Sequence, residues 1–126
     1  MNQFEFENCV INYLAQGNST GVKLLEQQFS NARVTSREMT GAGFFVCYLV
    51  DRSKTRPFKV DVSFGDLAIS FDGLQFGAGA VVHIRSGYIE MLECYSYDED
   101  WPEQYENVTI RYVSEERQLE ELDSAA

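Results

Sequence analysis

At 126 residues, 44% hydrophobic and 13% aromatic, the chain has the size and composition of one globular domain with a real core rather than a disordered segment. Its formal net charge of −10, from 20 acidic against 10 basic side chains, opposes nucleic acid and anionic membrane surfaces, which need a basic footprint, and favours a basic protein partner. No apolar run reaches the roughly 20 residues of a membrane span, and "MNQFEFENC" lacks the basic and apolar regions of a secretion signal, so the expected location is cytoplasmic.

The first element is expected over residues 3–16, where Phe6, Cys9, Val10, Tyr13 and Leu14 fall on one face at helical spacing, ended by "GNSTG". A second helix is expected over 20–32, with Val22, Leu25 and Phe29 on one stripe and Leu24 beside it. The short connection predicts an antiparallel helix pair. From Val34 the period changes to two. "RVTSREMT" reads as a weak strand, and the apolar run Phe44 to Val50 as a central strand buried on both faces, followed by the basic loop "RSKTRP".

In "FKVDVSFGDLAISFDG" the alternation flips parity at Gly65-Asp66. A two-residue hairpin turn there would pair Phe64 with Leu67, Val62 with Ile69, Val60 with Phe71 and Lys59 with Asp72. A β-bulge within one long strand would flip parity equally well. A second hairpin turns at Ser86-Gly87, expected to set Val82 and Ile84 opposite Met91 and Ile89, and His83 opposite Glu90. "NVTIRYV" is a terminal strand. "SEERQLEELDSAA" is an acidic tail, either frayed or a short helix through Leu119 and Leu122. The expected fold is α+β: helical residues 1–33, packed as a pair on one face of a five- to six-stranded, mostly antiparallel sheet over 34–113, then the tail 114–126.

Candidate chemistry is sparse. Three widely spaced cysteines (Cys9, Cys47, Cys94), no C-x-x-C and one histidine do not make a zinc set, and the thiols read as reduced, mostly buried hydrophobes. The two Gly-Ala-Gly runs lead into strands rather than helices, so they read as turn or bulge glycines, not phosphate loops. His83 with Glu90 and Cys94 or Cys47 would resemble a nucleophile triad, but the expected register puts Cys94 beyond reach of His83, and Cys47 lies in an apolar run. Asp98, Glu99 and Asp100 run into Trp101-Pro102 where a calcium loop would need to continue. Neither a metal, a cofactor nor an enzyme activity is expected.

What remains is a surface. From Glu93 to Asn107 carboxylates alternate with aromatics, and no Lys or Arg occurs between Arg85 and Arg111. Aromatics anchor interfaces and carboxylates pair with basic side chains. The candidate partner-binding residues are Asp98, Glu99, Asp100, Trp101, Glu103, Tyr105 and Glu106, although Trp101 before Pro102 reads equally as a loop anchor in the core. A pocket between helices and sheet, lined by Tyr13, Phe29, Tyr48 or Tyr95, is the alternative, as a small-ligand or enzyme site.

Gly65 to Pro102, through "FGDLAISFDGLQFGAGAVVHI" and "GYIEMLECYSYDEDWP", resembles a group of uncharacterised small bacterial proteins. That block implies a scaffold and carries no activity. In size and charge the chain is also similar to immunity proteins of bacterial toxin systems, including contact-dependent growth inhibition. That resemblance implies a catalytically inert inhibitor whose carboxylates block the cationic cleft of a basic, often nuclease, toxin domain.

Overall fold

The computed structural model describes residues 1–126. It is α+β, with three helices and a seven-stranded antiparallel sheet. Helix α1 (Gln3–Leu14) starts at a reciprocal cap: the Asn2 side chain accepts from Glu5 N and the Glu5 carboxylate accepts from Asn2 N. Helix α2 (Thr20–Ser30) is capped by Ser19 Oγ. Phe6, Val10 and Leu14 from α1, with Val22, Leu24 and Leu25 from α2, enter one core with the inward residues of the sheet.

The strands are β1 (Ala32–Met39), β2 (Gly43–Val50), β3 (Val62–Phe64), β4 (Leu67–Ser70), β5 (Ala78–Arg85), β6 (Tyr88–Ser96) and β7 (Thr109–Tyr112), with α3 (Glu120–Ala125) last. Their order is β1-β2-β6-β5-β4-β7, and β3 pairs with β5. The sheet therefore has seven strands, not five or six.

Four further expectations are corrected by the structure. The first concerns the helices, which meet each other only in part: α2 makes its main helix contact with α3, and α1 and α2 share one core over the sheet. Each is fastened downward: the buried Glu7 of α1 accepts two 2.6 Å hydrogen bonds from Arg37 of β1. In α2 the buried Gln28 amide donates to Gly87 O and Arg56 O and accepts from Ile89 N.

The second concerns Gly65-Asp66, which form a bulge and not a hairpin. Val62 opposes Ile84, Phe64 opposes Val82, and Ile69 opposes Ala78, so β3 and β4 lie end to end along β5 with one extra residue between them. The pairs Phe64–Leu67, Val62–Ile69, Val60–Phe71 and Lys59–Asp72 do not form. Gly65 permits this because a Cβ there would lie 2.0 Å from Ala80 O.

Third, the β5–β6 hairpin turns where expected, with positive φ at Ser86 and Gly87, but a bulge shifts its register. Ile84 opposes Ile89 as expected, whereas Val82 opposes Leu92 and His83 opposes Met91. His83 therefore does not face Glu90.

Finally, β2 is covered on one face only: Phe44 and Val46 are buried, Phe45 and Cys47 half-buried, and Leu49 exposed.

The tail is docked, not frayed. Leu122 and Ala125 are buried, and Asp123 Oδ1 accepts from Gly21 N at 2.7 Å, serving an otherwise free amide of the first turn of α2. Arg117 fixes the approach to α3. It grips Asp66 through Nε–Oδ2 at 2.6 Å and Nη2–Oδ1 at 3.1 Å and stacks 4.2 Å from the Tyr112 ring centroid. It also donates to the Leu14 and Gln16 carbonyls just at and beyond the end of α1. No helix is long and apolar enough to cross a membrane.

Candidate functional site

The seven residues singled out from sequence separate into two layers. Trp101 and Tyr105 are in the core and not on the surface. Trp101 meets Phe44 and Phe71 edge-on at 5.8 and 5.2 Å, and Phe6 stacks on Tyr105 at 4.1 Å. The indole Nε1–H donates to Tyr105 OH at 3.0 Å, and that hydroxyl donates to Gln3 Oε1 at 2.6 Å. The polar atoms of both rings are thus satisfied inside the fold. Asp98, Asp100, Glu103 and Glu106 are exposed. Glu99 is engaged within the chain: its carboxylate accepts from Gln75 N at 2.8 Å and Phe76 N at 2.6 Å.

Burial pushes the Tyr105 phenol up to about 12, with the Trp101 hydrogen bond pulling it back. An unfolded phenol ionises near 10. The folded state therefore binds the proton more tightly. Stability from this group is complete below pH 10 and is lost between pH 10 and about 12. Urea midpoints should hold steady from pH 8 to 9.5 and fall above pH 10 in the wild type, and fall less in Tyr105→Phe. Equal alkaline losses in both proteins would remove Tyr105 as the cause.

Helices cover one face of the sheet; the other is open. Alternation from the buried set places Phe45, Cys47, Met91, Glu93, Tyr95, Val81, His83 and Ser63 on this outer face. Toward β4 and β7 it deepens into a recess of about 280 Å³ whose lining includes Ala68, Phe76, Tyr97, Arg111 and Val113. Phe76, Tyr97 and Val113 are 62%, 47% and 61% exposed, so three large apolar side chains meet solvent around one depression. Glu99, by holding the Phe76 amide, ties this recess to the acidic turn at Asp98 and Asp100. Tyr97 belonged to the aromatic strip seen in the sequence. Phe76 and Val113 carried no signal, because they come from a loop and a strand end far apart in the chain.

The outer face also carries a polar line. Ser63 Oγ lies 2.8 Å from His83 Nδ1, and His83 Nε2 lies 3.1 Å from Glu93 Oε1, across β3, β5 and β6. The partner of His83 is thus Glu93, three residues farther along β6 than the expected Glu90. Cys94 faces the core, where burial drives its thiol far above the ordinary cysteine range. The Gly-Ala-Gly runs each begin with a positive-φ glycine, Gly41 and Gly77, and lead into β2 and β5, with no helix N-terminus present at either.

A cleft of about 300 Å³ lies between α1, α2 and the β1–β2 side of the sheet. Its lining includes Ile11, Phe29, Val34 and Tyr48, together with Glu7 and Asn8. Tyr13 and Tyr95 lie elsewhere. The Tyr48 hydroxyl is the one buried side-chain polar atom without a hydrogen-bond partner.

No known protein family, curated protein or solved structure matches the chain.

Proposed function

We propose that the protein is a protein-binding inhibitor of the immunity type, holding a basic partner such as a cognate, possibly nuclease, toxin domain. The carrying observation is the recess bordered by Phe76, Tyr97 and Val113 beside the acidic turn. An exposed apolar depression accepts an anchor side chain, and the carboxylates of Asp98 and Asp100, with Glu103 and Glu106 farther along, pair with Arg and Lys around it. The net charge of −10 draws such a partner in from a distance. Trp101 and Tyr105 act beneath this surface as its support.

Co-purification with the product of the adjacent gene supplies the partner. Asp98→Lys with Asp100→Lys should then slow association about 10-fold or more at low salt, with the difference shrinking as salt screens it, and leave melting unchanged. An unchanged association rate would remove the acidic turn from the interface. A small-ligand site is the second reading, favoured by the cleft between the helices and its unpartnered Tyr48 hydroxyl.

A further inference from the structure

The line Ser63–His83–Glu93 has a proton arrangement that can be read off its neighbours. Arg85 Nη2 donates to Ser63 Oγ at 3.0 Å, which occupies a lone pair of the hydroxyl. Nη1 of the same guanidinium donates to Val62 O and Ile84 O, so the Arg85 head is fixed across β3 and β5. The serine's single hydrogen is then free to point at His83 Nδ1, 2.8 Å away. A neutral imidazole accepting at Nδ1 carries its proton on Nε2, the nitrogen that faces Glu93 Oε1 at 3.1 Å. Hydroxyl, base and orienting carboxylate therefore stand in sequence, each bond running the right way.

The imidazole is the best covered part, with its side chain 23% exposed against 44% for Glu93, and its ring is held at both ends. A serine activated by a hydrogen-bonded base that is itself oriented by an acid is the arrangement of acyl-transfer nucleophiles, recognised by geometry and not by chain order. Here the two ring nitrogens exchange places relative to the usual arrangement, with Nδ1 facing the hydroxyl as the base and Nε2 facing the carboxylate.

Two more features complete the set. The Arg85 guanidinium, 3.0 Å from Ser63 Oγ through Nη2, places a fixed positive charge beside the hydroxyl, where negative charge would build up during acyl transfer. And β3 pairs on one side only. Beside it lies a recess of about 200 Å³ bordered by Ser63, Phe64 and Val113 and by the Asp66–Arg117 pair, with room for a small, polar ester.

We propose that Ser63 is a nucleophile for short-chain acyl esters, with His83 as general base and Glu93 as its positioning residue. Ser63 Oγ bonds to the ester carbonyl carbon while its proton passes to His83 Nδ1. The carbonyl oxygen takes up the electron pair opposite Arg85. The carbon–oxygen bond to the alcohol then breaks, and the leaving oxygen takes the proton from Nδ1, leaving acyl-Ser63. Water repeats the sequence from the same base, releasing the acid and restoring the hydroxyl. This activity does not depend on partner binding. A partner seated on the open face would cover Ser63, so the test uses the free protein.

The test is labelling of the free protein with an alkyl fluorophosphonate, read by intact mass and peptide mapping, together with release of nitrophenol from p-nitrophenyl acetate. One adduct on Ser63 and ester turnover are expected. Ser63→Ala should abolish both, and His83→Gln should slow labelling about 100-fold or more. Glu93→Gln should slow it by a smaller factor, with Glu93→Asp recovering part, while circular dichroism and melting stay unchanged. Absence of an adduct overturns the proposal. So does labelling of exposed Ser70 or Ser86 at the same rate as Ser63, or labelling indifferent to His83→Gln. None of these results bears on the affinity for a partner, so the two readings fail separately.

Discussion

Trp101→Ala is expected to cost roughly 3–5 kcal/mol, the range for deleting a buried large aromatic and leaving its cavity. Three effects act together. The indole is edge-packed against Phe6, Phe44 and Phe71, so its removal opens the centre of an aromatic cluster rather than its margin. The Tyr105 hydroxyl loses the donor at 3.0 Å. The backbone at this position stays tied, Trp101 N donating to Gly41 O at 2.7 Å, so the chain is hindered from collapsing into the void. A domain of this size has about 5–15 kcal/mol in hand, so the variant folds but melts early. Trp101→Phe refills part of the volume and should lose less than half as much. Urea unfolding followed by circular dichroism reads both. A loss below about 1 kcal/mol for Trp101→Ala would mean that the ring is a surface contact after all.

That experiment bears on why the site was only partly legible. Alternating acids and aromatics from Glu93 to Asn107 announce a surface, yet the pattern cannot tell which aromatics turn inward. Trp101 and Tyr105, four apart in an irregular segment, share a hydrogen bond and a cluster with residues nearly a hundred positions away. The recess itself is assembled from Phe76, Tyr97 and Val113, on three separate segments, and no local pattern joins them. The Ser63–His83–Glu93 line was hidden by one residue. A bulge between His83 and Ile84 in the β5–β6 register turns the expected facing pair His83–Glu90 into a diagonal contact with Glu93.

The fold shows the same division between local and distant causes. Helical spacing in α1 and α2 and the turn at Ser86-Gly87 are local, and they were readable. The parity flip at Gly65-Asp66 was readable as a flip, but hairpin and bulge write the same alternation. What separates them is where Asp66 goes. A hairpin tip would leave that carboxylate in water; in the structure it is buried against Arg117, 51 residues on. The docked tail follows from the same pair, because Arg117 stands at the approach to α3 and holds it beside the end of α1.

Arg117→Met should therefore be as damaging as a core deletion. It strands the Asp66 carboxylate in a nearly closed site, a change that costs about 3–5 kcal/mol when a buried pair is broken from one side. It also removes the donors to the Leu14 and Gln16 carbonyls and the stacking on Tyr112. Asp66→Asn alone strands the guanidinium less severely, since the two carbonyls still hold it. The double variant Asp66→Asn, Arg117→Met should recover part of the single Arg117→Met loss, because no uncompensated charge is left behind. The double-mutant cycle should show a coupling of roughly 1–3 kcal/mol by urea unfolding. Additive losses would show that the two charges act separately. Limited proteolysis gives an independent reading: cleavage in residues 114–119 should accelerate in Arg117→Met ahead of global unfolding, since α3 keeps Leu122 and the Asp123 cap on Gly21 but loses the clamp that delivers it.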